Sequence, residues 1–184
     1  MRAAAIGIYG VYALIALVAR SVVHRWKTGR SPFPIPSSAL AWVGETVMTA
    51  GLVASPVGVV FGDADGPRSV VGLALLVVGA AGVIVGQAQM GRSWRGGVDL
   101  TERTELVTRG VFRRVRNPIY SCMILTGAGM ALVVSNVVTV VSAVAILAGA
   151  EIAVRGVEEP YLRSSHGAAY DEYVARSGRF VPRV

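Results

Sequence analysis

The chain has 184 residues, is 53% hydrophobic and carries a formal net charge of +7, with a mean hydropathy of +0.57. Apolar residues gathered into runs at this level exclude an ordinary soluble globular domain. A single cysteine, Cys122, excludes an internal disulfide, and two histidines on distant segments leave no spacing for a zinc site, so no metal is expected.

Ala3 to Ala19 is uncharged for 17 residues and predicts a first membrane crossing, since about 20 apolar helical residues span a bilayer. A cleaved signal peptide fits less well, because its charged start would be Arg2 alone and no small-x-small site precedes the basic cluster. Residues 28–38 (TGRSPFPIPSS) carry Pro32, Pro34 and Pro36 and predict an extended surface loop. Next to it, His24 reads as an interfacial residue. Ser38 to Phe61 reads as a second crossing, interrupted only by Glu45, and residues 62–68 as an outer turn. Ser69 to Gly91 is uncharged for 23 residues and gives a third. Along it Gly72, Gly79, Gly82 and Gly86 form a small-residue stripe suited to close helix packing in lipid.

Residues 91–118 form the largest connection, rich in Gly, Arg and Thr. Asn117 to Ala150 is then uncharged for 34 residues, too long for one crossing and right for two short helices turning near Ser135-Asn136. The last 30 residues read as an amphipathic helix lying on the membrane, with Tyr170 and Tyr173 on one face. The expected fold is therefore an all-α integral membrane protein with five transmembrane helices, a C-terminal helical hairpin and an amphipathic cytoplasmic tail helix.

Of the 18 basic residues, all but Arg2 and Arg68 fall between helices one and two, between helices three and four, or after helix five. The positive-inside rule then places the N-terminus outside and the C-terminus in the cytoplasm, as an odd number of crossings requires. Topogenic charge accounts for the arginines, so nucleic acid is not an expected partner. Glu45 and Glu151 are ionisable groups within spans, where such groups face a partner or a cavity, or snorkel to the surface.

Two polar clusters flank the hairpin. The first, Met90 to Tyr120, has glycines at 91, 96, 97 and 110 that permit close backbone approach, a turn at Asn117-Pro118 and two rings, Phe112 and Tyr120, able to cover a flat or cationic ligand. An Arg-rich stop signal with an ordinary helix cap is the plainer reading. The second, Arg155 to Pro182, holds adjacent carboxylates Glu158 and Glu159 before Pro160. They suit a helix N-terminus, or the binding of a cationic ligand and the deprotonation of a nucleophile.

Gly110, Phe112, Arg116, Asn117, Pro118 and Tyr120, then Glu158, Glu159, Leu162, Gly167, Tyr170, Tyr173, Arg179, Phe180 and Pro182, follow one order across the hairpin. In these residues the chain resembles the isoprenylcysteine carboxyl methyltransferase family, which takes in prokaryotic integral membrane methyltransferases and is related to the phospholipid methyltransferases. The resemblance covers about residues 86–184. It implies one membrane domain over 1–184, with helices one and two (1–68) as scaffold and 86–184 as a cofactor-binding core, in the plasma membrane of a prokaryote. It further implies S-adenosylmethionine-dependent methyl transfer to a lipophilic or membrane-embedded acceptor. Thr104, Glu105, Leu106 and Val107 would line the adenosine end, Phe112, Asn117, Pro118, Ile119 and Tyr120 would wrap the cofactor, and Glu158 would meet its polar groups. Arg155 and Glu159 would face the acceptor as the catalytic pair. Asn117 stands where the family has His, and asparagine carries no charge and is no base near neutral pH. The rival readings are an NADPH-dependent membrane reductase of the sterol-reductase type, disfavoured by Glu158-Glu159, and a non-enzymatic membrane protein.

Overall fold

The computed structural model describes residues 1–98 and 105–183. Six helices carry the fold: α1 Arg2–Thr28, α2 Ala39–Val60, α3 Pro67–Met90, α4 Pro118–Val133, α5 Val137–His166 and α6 Ala168–Arg176. Among the described residues the only strand-like pairing is an isolated bridge between Val115 and Gly178. Helices α1, α2, α3 and α5 are long and apolar enough to cross a membrane, and α4 is a shorter apolar helix of 16 residues.

Local chemistry sets the helix ends. α1 runs on past Ala19, because Arg20, Arg25 and Lys27 continue a helix readily; Gly29, at φ 72°, ends it. The Ser38 side chain accepts from the Ala41 N–H at 3.1 Å and starts α2. Pro67 and Pro118 occupy first-turn positions, where a missing N–H costs nothing. At the hairpin the side chains of Asn136 and Thr139 cap each other's backbone, so the turn falls where the sequence places it. α5 continues through a π turn, Val154–Glu158, to His166. Pro160 has no N–H to offer the carbonyl four residues back, and the π turn lies directly before it. Glu158 and Glu159 therefore lie inside a continuous helix and not at a helix start.

Two glycine seams hold the bundle. In the α3–α4 seam, a Cβ added at Gly72 would stand 2.6 Å from the Gly129 carbonyl oxygen, and one added at Gly129 would stand 2.7 Å from the Leu76 nitrogen. The α2–α5 seam is equally close: a Cβ at Gly51 would lie 2.6 Å from the Ser142 carbonyl oxygen. Backbones meet this closely only without side chains between them, and in lipid such packing drives association. Gly72→Leu should cost about 1–3 kcal/mol by overpacking. The check is thermal melting in detergent, and an unchanged midpoint would contradict the seam.

α1 is tied to α2 by a defect. Pro56, inside α2, cannot donate to the Leu52 carbonyl, and the Tyr9 hydroxyl donates to it instead at 2.7 Å. Tyr9→Phe should cost about 1 kcal/mol, the usual net worth of a hydrogen bond, read as a lower melting midpoint; wild-type melting would remove this tie.

The C-terminal stretch differs from a single helix lying on the membrane. It breaks at Gly167, φ 53°, and in α6 Tyr170 and Tyr173 are only 1% and 2% exposed, turned onto the protein. The chain then folds back along the approach to α4: the Gly178 N–H donates to the Arg114 carbonyl at 2.9 Å, the Arg116 N–H to Gly178 at 2.8 Å and the Asn117 N–H to Arg179 at 3.0 Å.

Candidate active site

A cavity of about 280 Å³ opens where the end of α1, the start of α2, the end of α3, the start of α4 and the π turn of α5 converge. Each π turn supplies one lining residue, Leu17 from Leu14–Ala19 in α1 and Glu158 from α5. Such turns re-aim side chains and recur at functional sites. The α4 side contributes Phe112, Arg116, Asn117, Pro118, Ile119, Tyr120 and Met123. α2 contributes Glu45, Met48, Thr49 and Leu52, and the connections add Phe33, Trp94, Arg95, Gly96, Glu105, Leu106 and Val107.

Polar contacts fix the α4–α5 wall. The Tyr120 hydroxyl donates to Glu158. Glu159, one residue on, is 7% exposed and points into a separate knot. Arg179 reaches it with Nε at 2.9 Å and a terminal nitrogen at 2.7 Å, and Arg116 with Nε at 3.2 Å and a terminal nitrogen at 3.1 Å. Hydrogen bonds to Glu159 hold the Arg179 guanidinium above its ordinary pKa. Arg116 also donates to the Ser177 carbonyl, so α5, the α4 entry and the tail close on one carboxylate. Tyr173 donates to the Phe112 carbonyl at 2.6 Å, and burial pushes its hydroxyl up to about 12, so it remains a donor near neutral pH. Tyr170 lines the cavity, and its buried hydroxyl lies beside the Arg116 guanidinium.

The loops close the other end. The Gly96 N–H donates to Pro32 at 2.8 Å, and Phe33 sits edge-on to Trp94 with ring centroids 6.2 Å apart. Arg20 lies over the Trp94 ring at 5.1 Å. His24 is buried edge-on to the same ring, centroids 6.0 Å apart, rather than standing at an interface.

Of the residues singled out for a cofactor, Glu105, Leu106, Val107, Phe112, Asn117, Pro118, Ile119, Tyr120 and Glu158 all line this cavity. Thr104 lies outside the described residues. Arg155 and Glu159, expected to face an acceptor, do not line it: Arg155 is exposed and donates to Glu151, and Glu159 is consumed by two arginines. The sequence marks Glu45 as a group that faces a partner or a cavity without assigning it to this site, and gives no sign of its α2 neighbours Met48, Thr49 and Leu52. The signal for Glu45 is a carboxylate in an otherwise uncharged span.

The phospholipid methyltransferase family model matches residues 67–169, more than half of the chain. The chain belongs to the phospholipid methyltransferase family. This family is related to the isoprenylcysteine carboxyl methyltransferases, the resemblance carried by the two polar clusters. No curated protein and no solved structure matches the chain. Within this phospholipid methyltransferase family member the matched segment runs from the start of α3 into α6. It contains the α4–α5 wall of the cavity, whereas α1 and α2 lie before it. Family membership and the apolar helices make the chain an integral membrane protein of a methyltransferase family.

Proposed function

We propose that the cavity binds S-adenosylmethionine and that the protein transfers its methyl group to a lipophilic, membrane-embedded acceptor. The observation that carries this reading is the convergence of the Asn117-Pro118 corner and Glu158 on one cavity whose walls also carry aromatic and thioether side chains, among them Phe112, Tyr120, Met48 and Met123. Glu158 supplies negative charge for a ligand with a sulfonium and an ammonium group. Phe112, Ile119 and Tyr120 would enclose the cofactor, with Glu105, Leu106 and Val107 at its adenosine end. Bound there, S-adenosylmethionine supplies an already activated electrophilic methyl, so the chain's own residues chiefly align the partners and exclude water. Arg155 and Glu159 have no place at the acceptor in this reading.

The topology proposed with it is five crossings, counting the short α4, in the plasma membrane of a prokaryote with the N-terminus outside and the cavity at the cytoplasmic end. The basic residues around the cavity support that orientation. The whole chain acts as one domain, because α1 and α2 contribute cavity walls.

A nicotinamide dinucleotide fits less well. Its phosphates would meet Glu45 and Glu158, and Arg116 is already committed to Glu159. Tritiated S-adenosylmethionine and NADPH, offered to the purified protein in one binding assay, separate the readings. Saturable S-adenosylmethionine binding that NADPH does not compete is expected; binding of NADPH alone would overturn the proposal.

A further inference from the structure

We propose that Glu45 is the acceptor-side catalytic carboxylate: it receives the proton of an amphiphilic amine before that amine is methylated. This rests on the methyltransferase reading above and adds a residue from α2, before the segment that matches the family.

Among the described residues four carboxylates line or adjoin the cavity, and three have partners: Glu105 pairs with Arg109 at 3.6 Å. Glu159 is locked by Arg116 and Arg179, and Glu158 accepts from Tyr120. Glu45 lines the cavity and makes no hydrogen bond or ion pair with any described residue. A carboxylate inside a span without a partner is costly unless a ligand completes it. Its place suits an amphiphile. Glu45 stands six residues into α2, about 9 Å along the helix at 1.5 Å per residue, with its carboxylate toward Pro34 and Gly97 of the loops. Farther along α2 the cavity wall continues through Met48, Thr49 and Leu52 to Leu17 of α1, and Thr49 and Leu17 are exposed on the bundle surface, where lipid would lie. A head group at Glu45 and a chain running along this wall fill the space in one orientation.

The step is a proton transfer. One N–H bond of the acceptor's ammonium breaks, its electron pair stays on nitrogen, and the proton passes to a Glu45 oxygen. The neutral amine then has the lone pair that methyl transfer requires. A carboxylate acceptor would be repelled by Glu45 and needs no base.

The test uses the full chain in nanodiscs, a total lipid extract as acceptor pool and methyl-tritiated S-adenosylmethionine. Wild type is expected to give a lipid label that alkali does not release as methanol. Glu45→Gln should lower kcat by about 10²- to 10⁴-fold, the range for general base catalysis, with unchanged S-adenosylmethionine affinity and unchanged or raised melting temperature. Glu45→Asp should recover part of the rate. Independently of turnover, dodecylamine should raise the melting temperature of wild type and raise that of Glu45→Gln less. Label released as methanol, a wild-type rate in Glu45→Gln, equal dodecylamine shifts in both proteins, or no labelled lipid from a protein that binds S-adenosylmethionine would each overturn the proposal. Failure of wild type to bind S-adenosylmethionine would instead strike the methyltransferase reading itself, and this proposal with it.

Discussion

Glu159→Gln is expected to leave little folded protein. The carboxylate is 7% exposed and is shared by two guanidiniums, of which the Arg116 side chain is itself only 8% exposed. Removing its charge leaves two cations with no counter-ion in a nearly dry knot, and breaking a buried pair in this way typically costs about 3–5 kcal/mol. The loss falls on assembly, since the same three side chains tie α5, the entry to α4 and the C-terminal stretch together. The checks are yield of monodisperse protein after detergent extraction and the melting midpoint. Glu159→Gln that purifies and melts like wild type would show that the knot contributes nothing. Exposed pairs such as Arg176 with Glu172 offer a contrast: Glu172→Gln should change the midpoint very little, because surface pairs contribute about 0–1 kcal/mol.

Glu158→Gln should give the opposite pattern: a folded protein with a damaged site. Glutamine keeps the shape and can still accept from Tyr120, so the α4–α5 wall stays closed. What disappears is the negative charge facing the cavity. Hydrogen bonds to charged groups contribute about 1.5–3 kcal/mol, which corresponds to about 10- to 100-fold weaker S-adenosylmethionine binding in calorimetry. Affinity equal to wild type would remove Glu158 from the cofactor site. The two neighbouring glutamates thus predict separable phenotypes, one in stability and one in binding.

Why the sequence could not separate them is geometric. Adjacent residues on a helix diverge by about 100° at 3.6 residues per turn, so one of the pair faces the cavity and the other the arginines. Which is which depends on the π turn, Val154–Glu158; Pro160 marks a break in the helical hydrogen bonding but does not fix which glutamate turns inward. The membrane class, the hairpin turn at Asn136 and the gathering of Asn117-Pro118 with Glu158 were all legible, because charge-free runs and X-Pro corners act over short distances. The roles of Glu45 and Phe33 were not, since they reach the cavity from segments distant in sequence and only packing brings them there. The return of Gly178 and Arg179 onto Arg114–Asn117 was likewise hidden: backbone hydrogen bonds outside regular elements leave no composition signature. The α2–α5 seam, with Gly44, Gly51 and Gly58 at seven-residue spacing, was readable by the logic applied to α3 and was passed over.

The central claim is that the space between the α4 entry and the α5 π turn is the methyl-donor site. Ultraviolet crosslinking of methyl-tritiated S-adenosylmethionine to the purified protein, followed by peptide mapping, tests it most directly. Label is expected in the peptides that carry Phe112 and Tyr120, abolished by excess S-adenosylhomocysteine and reduced in Glu158→Gln. Label confined to segments that do not line this cavity, or label displaced by NADPH, would contradict it.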